Sequence, residues 1–301
     1  MAAIELKGVE KSFGSVVALD GVDLEVDDGE VFGFLGPNGA GKSTTINVML
    51  DFVRADAGRA TVLGHDVHDE SVAIRQRTGV LPEGFDVYER LSAIEHVRFA
   101  IDSKEVDDDP VALLERVGLE DAVERKAGGF STGMKQRLSL AMALVGDPDL
   151  LILDEPSSGL DPNGAREFRE IVREEAADGS TVFFSSHVLG QVEAICDRVG
   201  ILRNGRLVAV DSISGLQDAV GTGSRLVVDV DTVPDDAIST LEDLPGVDSV
   251  VADGTTLRID CADDAKTSVV STLEKTGANV IDFSTEETSL DELFAAYTEE
   301  R

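Results

Sequence analysis

Residues 36–44 read Gly36-Pro37-Asn38-Gly39-Ala40-Gly41-Lys42-Ser43-Thr44, the spacing G-x-x-x-x-G-K-S/T. The run before them, Glu30 to Leu35, is apolar and predicts a buried strand; the run after, Thr44 to Leu50, predicts a helix. A strand delivered into a glycine-rich turn that opens a helix is a phosphate-binding P-loop, and it commits the chain to an α/β architecture. Glycines let the backbone curl until several N–H groups face one anion. The helix N-terminus adds the positive end of its dipole. Lys42 then supplies a mobile ammonium for the β- and γ-phosphates, and Ser43 a hydroxyl for Mg²⁺, which prefers oxygen ligands. The competing reading, a glycine-rich turn with a chance lysine, fails on the flanking context.

Charge is the compositional feature that matters. The chain has 301 residues, room for about two domains, with 26 basic against 59 acidic side chains and a net charge of -33. Self-repulsion on that scale opposes a compact state in dilute buffer, and screening shortens to about 3 Å at 1 M salt. An acidic, lysine-poor surface therefore fits a salt-rich cytosol, and we expect a halophilic source over an ordinary acidic one. Tm should rise between low and molar salt; a flat Tm contradicts that expectation. The same charge argues against general nucleic-acid binding, which needs a basic face. Cys196 and Cys261 are the only cysteines, so no disulfide framework is expected and a reducing compartment is. Met1 to Lys7 lack the basic start and apolar core of a signal peptide. No apolar stretch approaches the roughly 18 residues that cross a bilayer, so any membrane role is expected to come through a partner.

Ile4-Glu5-Leu6, Val16 to Leu19 and Val22 to Val26 alternate at period two and predict antiparallel strands. Strands are expected again at 60–63 and 78–81. From about 88 to 125 apolar residues recur at three and four, which predicts helices, with Asp107-Asp108-Asp109-Pro110 as a helix start. A helix at about 134–145 precedes the apolar strand 150–153. Helix 165–177 precedes strand 181–185, and helix 188–196 precedes two strands joined by a tight Asn204-Gly205 turn. Apolar strands alternating with helices imply a largely parallel sheet. Gly221-Thr222-Gly223-Ser224 reads as a linker. Beyond it, 225–301 predicts strand 225–230, helix 235–243, strands near 248–252 and 255–260, helix 263–276, strand 278–283 and helix 289–298. That βαββαβ order suits a ferredoxin-like domain. It carries no motif with assignable chemistry, and regulatory, dimerising and structural roles stay open.

Two further motifs carry chemistry. Leu150-Leu151-Ile152-Leu153-Asp154-Glu155-Pro156 is a buried strand ending in two acids, where ligands sit in such sheets. Asp154 suits the Mg²⁺ shell, and Glu155 suits a general base or water-orienting group beside the γ-phosphate. Phe130-Ser131-Thr132-Gly133-Met134 opens a helix, with Ser131 a good N-cap and Gly133 leaving its amide unshielded.

Taken in order, these motifs resemble the ATP-binding subunit of an ABC transporter over about residues 3–215. They are Walker A (36–44), a loop at Leu81-Pro82-Glu83, the signature (130–134), Walker B (150–155), and Ser157-Ser158-Gly159-Leu160-Asp161 followed by His187. The resemblance implies an α/β fold: a P-loop NTPase core with an antiparallel β subdomain and a helical insertion at about 84–145, making a domain of residues 1–220; the element order beyond the linker adds the small α+β (ferredoxin-like) C-terminal domain at 225–301. It implies two MgATP sandwiched between two head-to-tail subunits, a homodimer or a pair with a related ATPase. Each ATP touches one P-loop and the other subunit's Ser131 and Gly133. His187 matches the histidine that contacts the γ-phosphate, Asp161 the aspartate that crosses the dimer interface, and Phe13 the aromatic that stacks on adenine. The family meets an integral-membrane permease through its helical insertion, so the expected location is cytoplasmic and peripheral on the membrane's inner face. The chain shows no long repeat, hence one ATPase unit. With its appended domain it resembles the ABC-2 export branch.

Two positions depart from the family pattern. Glu83 stands where a glutamine is common; a carboxylate still binds Mg²⁺ or water but adds negative charge near the γ-phosphate. Thr132 and Met134 stand where glycine and glutamine are commoner. The rival readings are a soluble ABC-type ATPase of translation or DNA repair, and an ATP-binding regulator without turnover. The translation type carries two ATPase units and the chromosome type a long coiled coil, and this chain has neither; Glu155 opposes the regulator.

Overall fold

The computed structural model describes residues 2–84, 86–157, 159–187, 189–220, 225–234 and 236–286. The chain divides into two compact units, Met1–Val210 and Asp211–Arg301.

The first unit opens with long strands β1 (Ala2–Phe13) and β2 (Val16–Asp27). In β2, Leu19, Val22, Leu24 and Val26 are buried while Asp23, Glu25 and Asp27 are exposed, the alternation of a sheet wet on one face. Next come β3 (Val31–Leu35), α1 (Lys42–Met49), β4 (Ala57–Val62), β5 (His65–Asp66), α2 (Ser71–Arg77) and β6 (Thr78–Leu81). An antiparallel sheet has the order β2-β1-β4-β5. The helical insertion follows: α3 (Ala93–Lys104), α4 (Pro110–Arg116) and α5 (Thr132–Ala143). Then come β7 (Leu150–Asp154), α6 (Pro162–Ala177), β8 (Thr181–Ser186), α7 (Leu189–Glu193), β9 (Arg198–Arg203) and β10 (Arg206–Asp211). These complete a second sheet of order β10-β9-β3-β8-β7-β6, parallel from β9 through β6. Every residue of β3, β7 and β8 is buried, as the continuous apolar runs require of a sheet covered on both faces. Phe32 stacks on Phe183 with ring centroids 5.9 Å apart, and each such buried side chain contributes about 1.5–3 kcal/mol.

Helix starts follow their caps. The helix expected from about residue 88 begins only at Ala93, because Ser92 and Glu95 form a reciprocal capping box: Ser92 N donates to Glu95 Oε2 at 2.6 Å and Glu95 N to Ser92 Oγ at 3.4 Å. The segment before it is pinned from inside. Buried His96 accepts the Tyr88 N–H at Nε2 (3.0 Å) and donates from Nδ1 to Ser92 O (2.8 Å). Asp109 caps α4 ahead of Pro110, and Ser131 caps α5. The helix expected over 188–196 is shorter, Leu189–Glu193. Helix α2 and strand β5 were not anticipated.

The second unit contains α8 (Ile213–Val220), β11 (Arg225–Val230), α9 (Ala237–Glu242), β12 (Val247–Asp253), β13 (Thr256–Cys261), α10 (Lys266–Thr276) and β14 (Val280–Glu286). Its antiparallel sheet has the order β12-β13-β11-β14, the ferredoxin-like arrangement. Ala237, Leu241, Val269 and Leu273 from α9 and α10 join Leu226, Val228, Leu257 and Ile259 in a core of its own. The expected linker 221–224 and helix 289–298 lie outside the described residues. Among the described residues no helix is long and apolar enough to cross a membrane.

Candidate nucleotide site

Strand β3 ends at Leu35 and α1 begins at Lys42, so the glycine-rich segment is the turn between them. Gly39 and Gly41 have φ of 81° and 114°, conformations that L side chains resist. A Cβ at Gly41 would lie 2.5 Å from Ala18 O and 2.9 Å from Leu19 Cδ2; one at Gly36 would lie 2.6 Å from Leu202 O. The loop is therefore wedged against β2 and β9. It is also strapped from above by the β9–β10 turn, whose Gly205 N donates to Ala40 O at 2.9 Å while Asp20 N donates to Gly205 O at 2.8 Å. Asn204 and Gly205 both have positive φ, as the two-residue hairpin requires. Pro37, Asn38, Gly39 and Ser43 are exposed, whereas Ala40 is buried. Gly41→Ala should cost about 1–3 kcal/mol in backbone strain, lower Tm by several degrees and cut ATP affinity more than tenfold. An unchanged Tm and Kd would show that the loop is not constrained as described.

Lys42 is 7 % exposed and its Nζ donates to Gly36 O at 2.7 Å. Facing it at the end of β7 is Glu155, also 7 % exposed, with Oε1 3.7 Å from Lys42 Nζ. Oε1 is the one buried side-chain oxygen among the described residues that has no hydrogen-bond partner. The other oxygen, Oε2, is held by His187 Nδ1 at 2.8 Å and by Ser186 Oγ at 3.5 Å. Glu155 itself sits at φ 49°, an unusual conformation for a residue with a side chain, and its N–H donates to Ser185 O at 3.0 Å. Asp154, 4 % exposed, accepts from Ser185 Oγ through Oδ1. The fold thus brings together Lys42, Asp154, Glu155 and His187. It also adds Ser185, which went unrecognised because a small polar residue inside an apolar strand carries no motif.

The remaining candidates are positioned by other elements. Ser131 Oγ accepts Met134 N at 3.3 Å as the cap of α5. Asp161 Oδ1 accepts Gly164 N at 2.8 Å as the cap of α6. Ser131, Gly133 and Asp161 line one concave surface with Thr132, Met134, Arg137, Gly159 and Leu160, and none of residues 36–44 belongs to it. Glu83 is exposed just beyond β6. Phe13 is 51 % exposed at the end of β1, with Lys11 Nζ 5.4 Å from its ring centroid.

Known proteins resemble this chain. A family model described as ABC transporter matches residues 19–158. The linearmycin resistance ATP-binding protein LnrL of Bacillus subtilis (strain 168) is 31 % identical over 98 % of this chain and 98 % of its own. The chain belongs to the ATP-binding subunits of ABC transporters. The Nod factor export ATP-binding protein I of Rhizobium sp. (strain N33) is 39 % identical over 70 % of this chain and 71 % of its own. Among solved structures, an ATP-binding subunit of an ABC transporter superposes with a TM-score of 0.68 and 31 % identity, over 73 % of this chain and 93 % of that one. Like its family, the chain is an ATPase.

Proposed function

We propose that two copies of this chain close on two MgATP and, through a membrane permease, drive export. The observation that carries the hydrolytic part is Glu155: a buried carboxylate oxygen without a donor, 3.7 Å from Lys42, on a carboxylate steadied by His187. A carboxylate held so is ready to accept a proton from water. The water oxygen bonds to the γ-phosphorus, the bond from that phosphorus to the β–γ bridging oxygen breaks, and the water proton goes to Glu155 or to the released phosphate. Lys42 and the P-loop N–H groups hold the β- and γ-phosphates. His187, its Nδ1 engaged with Glu155, keeps Nε2 for the γ-phosphate.

The donor chemistry fits Mg²⁺. Ser43 offers an exposed hydroxyl and Asp154 keeps Oδ2 once Ser185 has taken Oδ1. Few protein ligands are what a cation that retains waters and phosphate oxygens requires, and no cluster of three or more His, Cys, Asp or Glu suited to a metal occurs among the described residues. When bound, Mg²⁺ would neutralise phosphate charge. Glu83 is the third candidate oxygen ligand. Phe13, half exposed, is free to stack on adenine, an interaction worth about 1–3 kcal/mol.

Ser131, Gly133 and Asp161 belong to a concave surface outside the P-loop's own surroundings. They suit the partner copy's triphosphate, which the N-terminus of α5 would meet with unshielded amides. The export direction rests on a relative named for export and another named for linearmycin resistance. A permease with its own spans supplies the membrane part, and the chain sits on the inner face. Co-expression with an integral-membrane permease of the same genome tests this. The chain should sediment with membranes only when the permease is present, and the purified complex should hydrolyse ATP severalfold faster than the isolated chain. A chain that stays out of the membrane fraction with an unaltered ATPase contradicts the proposal.

A further inference from the structure

The signature helix and the loop that follows Glu155 are fastened together within one chain. Gln136 Nε2 donates to Pro156 O at 2.7 Å. One turn earlier on the same face of α5, the Thr132 methyl fills the space beside Gly159: a Cβ built at 159 would lie 2.6 Å from Thr132 Cγ2. Gly159 has φ 78°, so only glycine lets the loop turn there and receive that methyl. The loop ends at Asp161, whose side chain caps α6. Its start is more consequential, because Pro156 is bonded directly to Glu155, the residue with the unusual φ of 49°. Glu155 is tethered on its other side by the Ser185 carbonyl at 3.0 Å.

We propose that Gln136 and Thr132 are positioning residues that couple the two nucleotide sites. When Ser131 and Gly133 close on the partner copy's triphosphate, the shift of α5 is passed through the Gln136–Pro156 bond and the Thr132–Gly159 contact to this chain's own Glu155. Each ATP thereby sets the geometry of the carboxylate that serves the other. Thr132, which departs from the family's usual glycine, is the second grip of that clasp. The inference rests on the two-copy reading above. A shift of about 1 Å at the carboxylate is enough to change the rate up to ~10²-fold.

The test uses the full chain. Gln136→Met keeps the side-chain length and removes the donor. In the Glu155→Gln background it should bind ATP and dimerise as its parent does. With Glu155 intact it should lose about tenfold in kcat, hold KM within about threefold, and drop the Hill coefficient for ATP from above 1 towards 1. Thr132→Gly should lower kcat and the Hill coefficient likewise, and Thr132→Val, which keeps the methyl, should restore what Thr132→Gly loses; this pair carries the test if Gln136→Met fails to fold. A kcat and Hill coefficient within twofold of the unaltered chain for both Gln136→Met and Thr132→Gly, with dimerisation intact, would overturn the coupling. A Glu155→Gln chain that stays monomeric at saturating MgATP would instead overturn the two-copy reading beneath it.

Discussion

Glu155→Gln should bind MgATP at least as tightly as the unaltered chain while kcat falls by about 10²–10⁴-fold, the range of general base catalysis. The amide preserves the shape of a side chain that is 7 % exposed, so little repacking follows. It can no longer take a proton from water, and it no longer sets a negative charge 3.7 Å from Lys42, where the triphosphate must compete for the same ammonium. The expected product is a dimer with nucleotide retained, visible by size-exclusion chromatography with radiolabelled ATP. Turnover at the unaltered rate would remove Glu155 from the reaction and leave its buried, donorless oxygen unexplained.

Lys42→Ala should act on binding first. The ammonium is buried and already within hydrogen-bond reach of Gly36 O, and truncating one partner of a buried charge pair costs about 2–5 kcal/mol. ATP affinity should fall by roughly 30-fold or more, measured by calorimetry, with kcat reduced as well. Lys42→Arg should not recover it. The ammonium fits within 2.7 Å of a loop carbonyl, and a planar guanidinium is longer and forked. An unimpaired Kd in Lys42→Ala would mean that the P-loop N–H groups alone carry the triphosphate.

Legibility followed sequence distance. The P-loop, its strand and its helix lie within twenty residues and declare themselves, and the apolar runs of β7 and β8 could only be buried strands. Helix α2 escaped because Ile74 is its only buried side chain, and one anchor makes no period. Helix α8 was not anticipated either, since Gly215 interrupts its few apolar residues. At the site, Asp154 and Glu155 were legible as acids ending a strand, and the family's pattern pointed to His187. Neither could reveal that Ser185 grips Asp154, that Gly205 straps Ala40, or that Gln136 reaches Pro156. Those contacts exist only once β7, β8, β9 and α5 have been assembled. Asp161 shows a local signal with a second use: followed by Pro162, it caps α6, so its carboxylate is engaged before any partner arrives.

In the proposed assembly, one copy's signature completes the other copy's pocket. The direct measurement is a crystal structure of the Glu155→Gln chain with MgATP, or a crosslink from a cysteine at position 131 to a γ-phosphate-tethered probe. Ser131 and Gly133 should lie within hydrogen-bond reach of the γ-phosphate held by the other copy's Lys42. A closed, nucleotide-loaded assembly that leaves residue 131 far from the opposite triphosphate would contradict it.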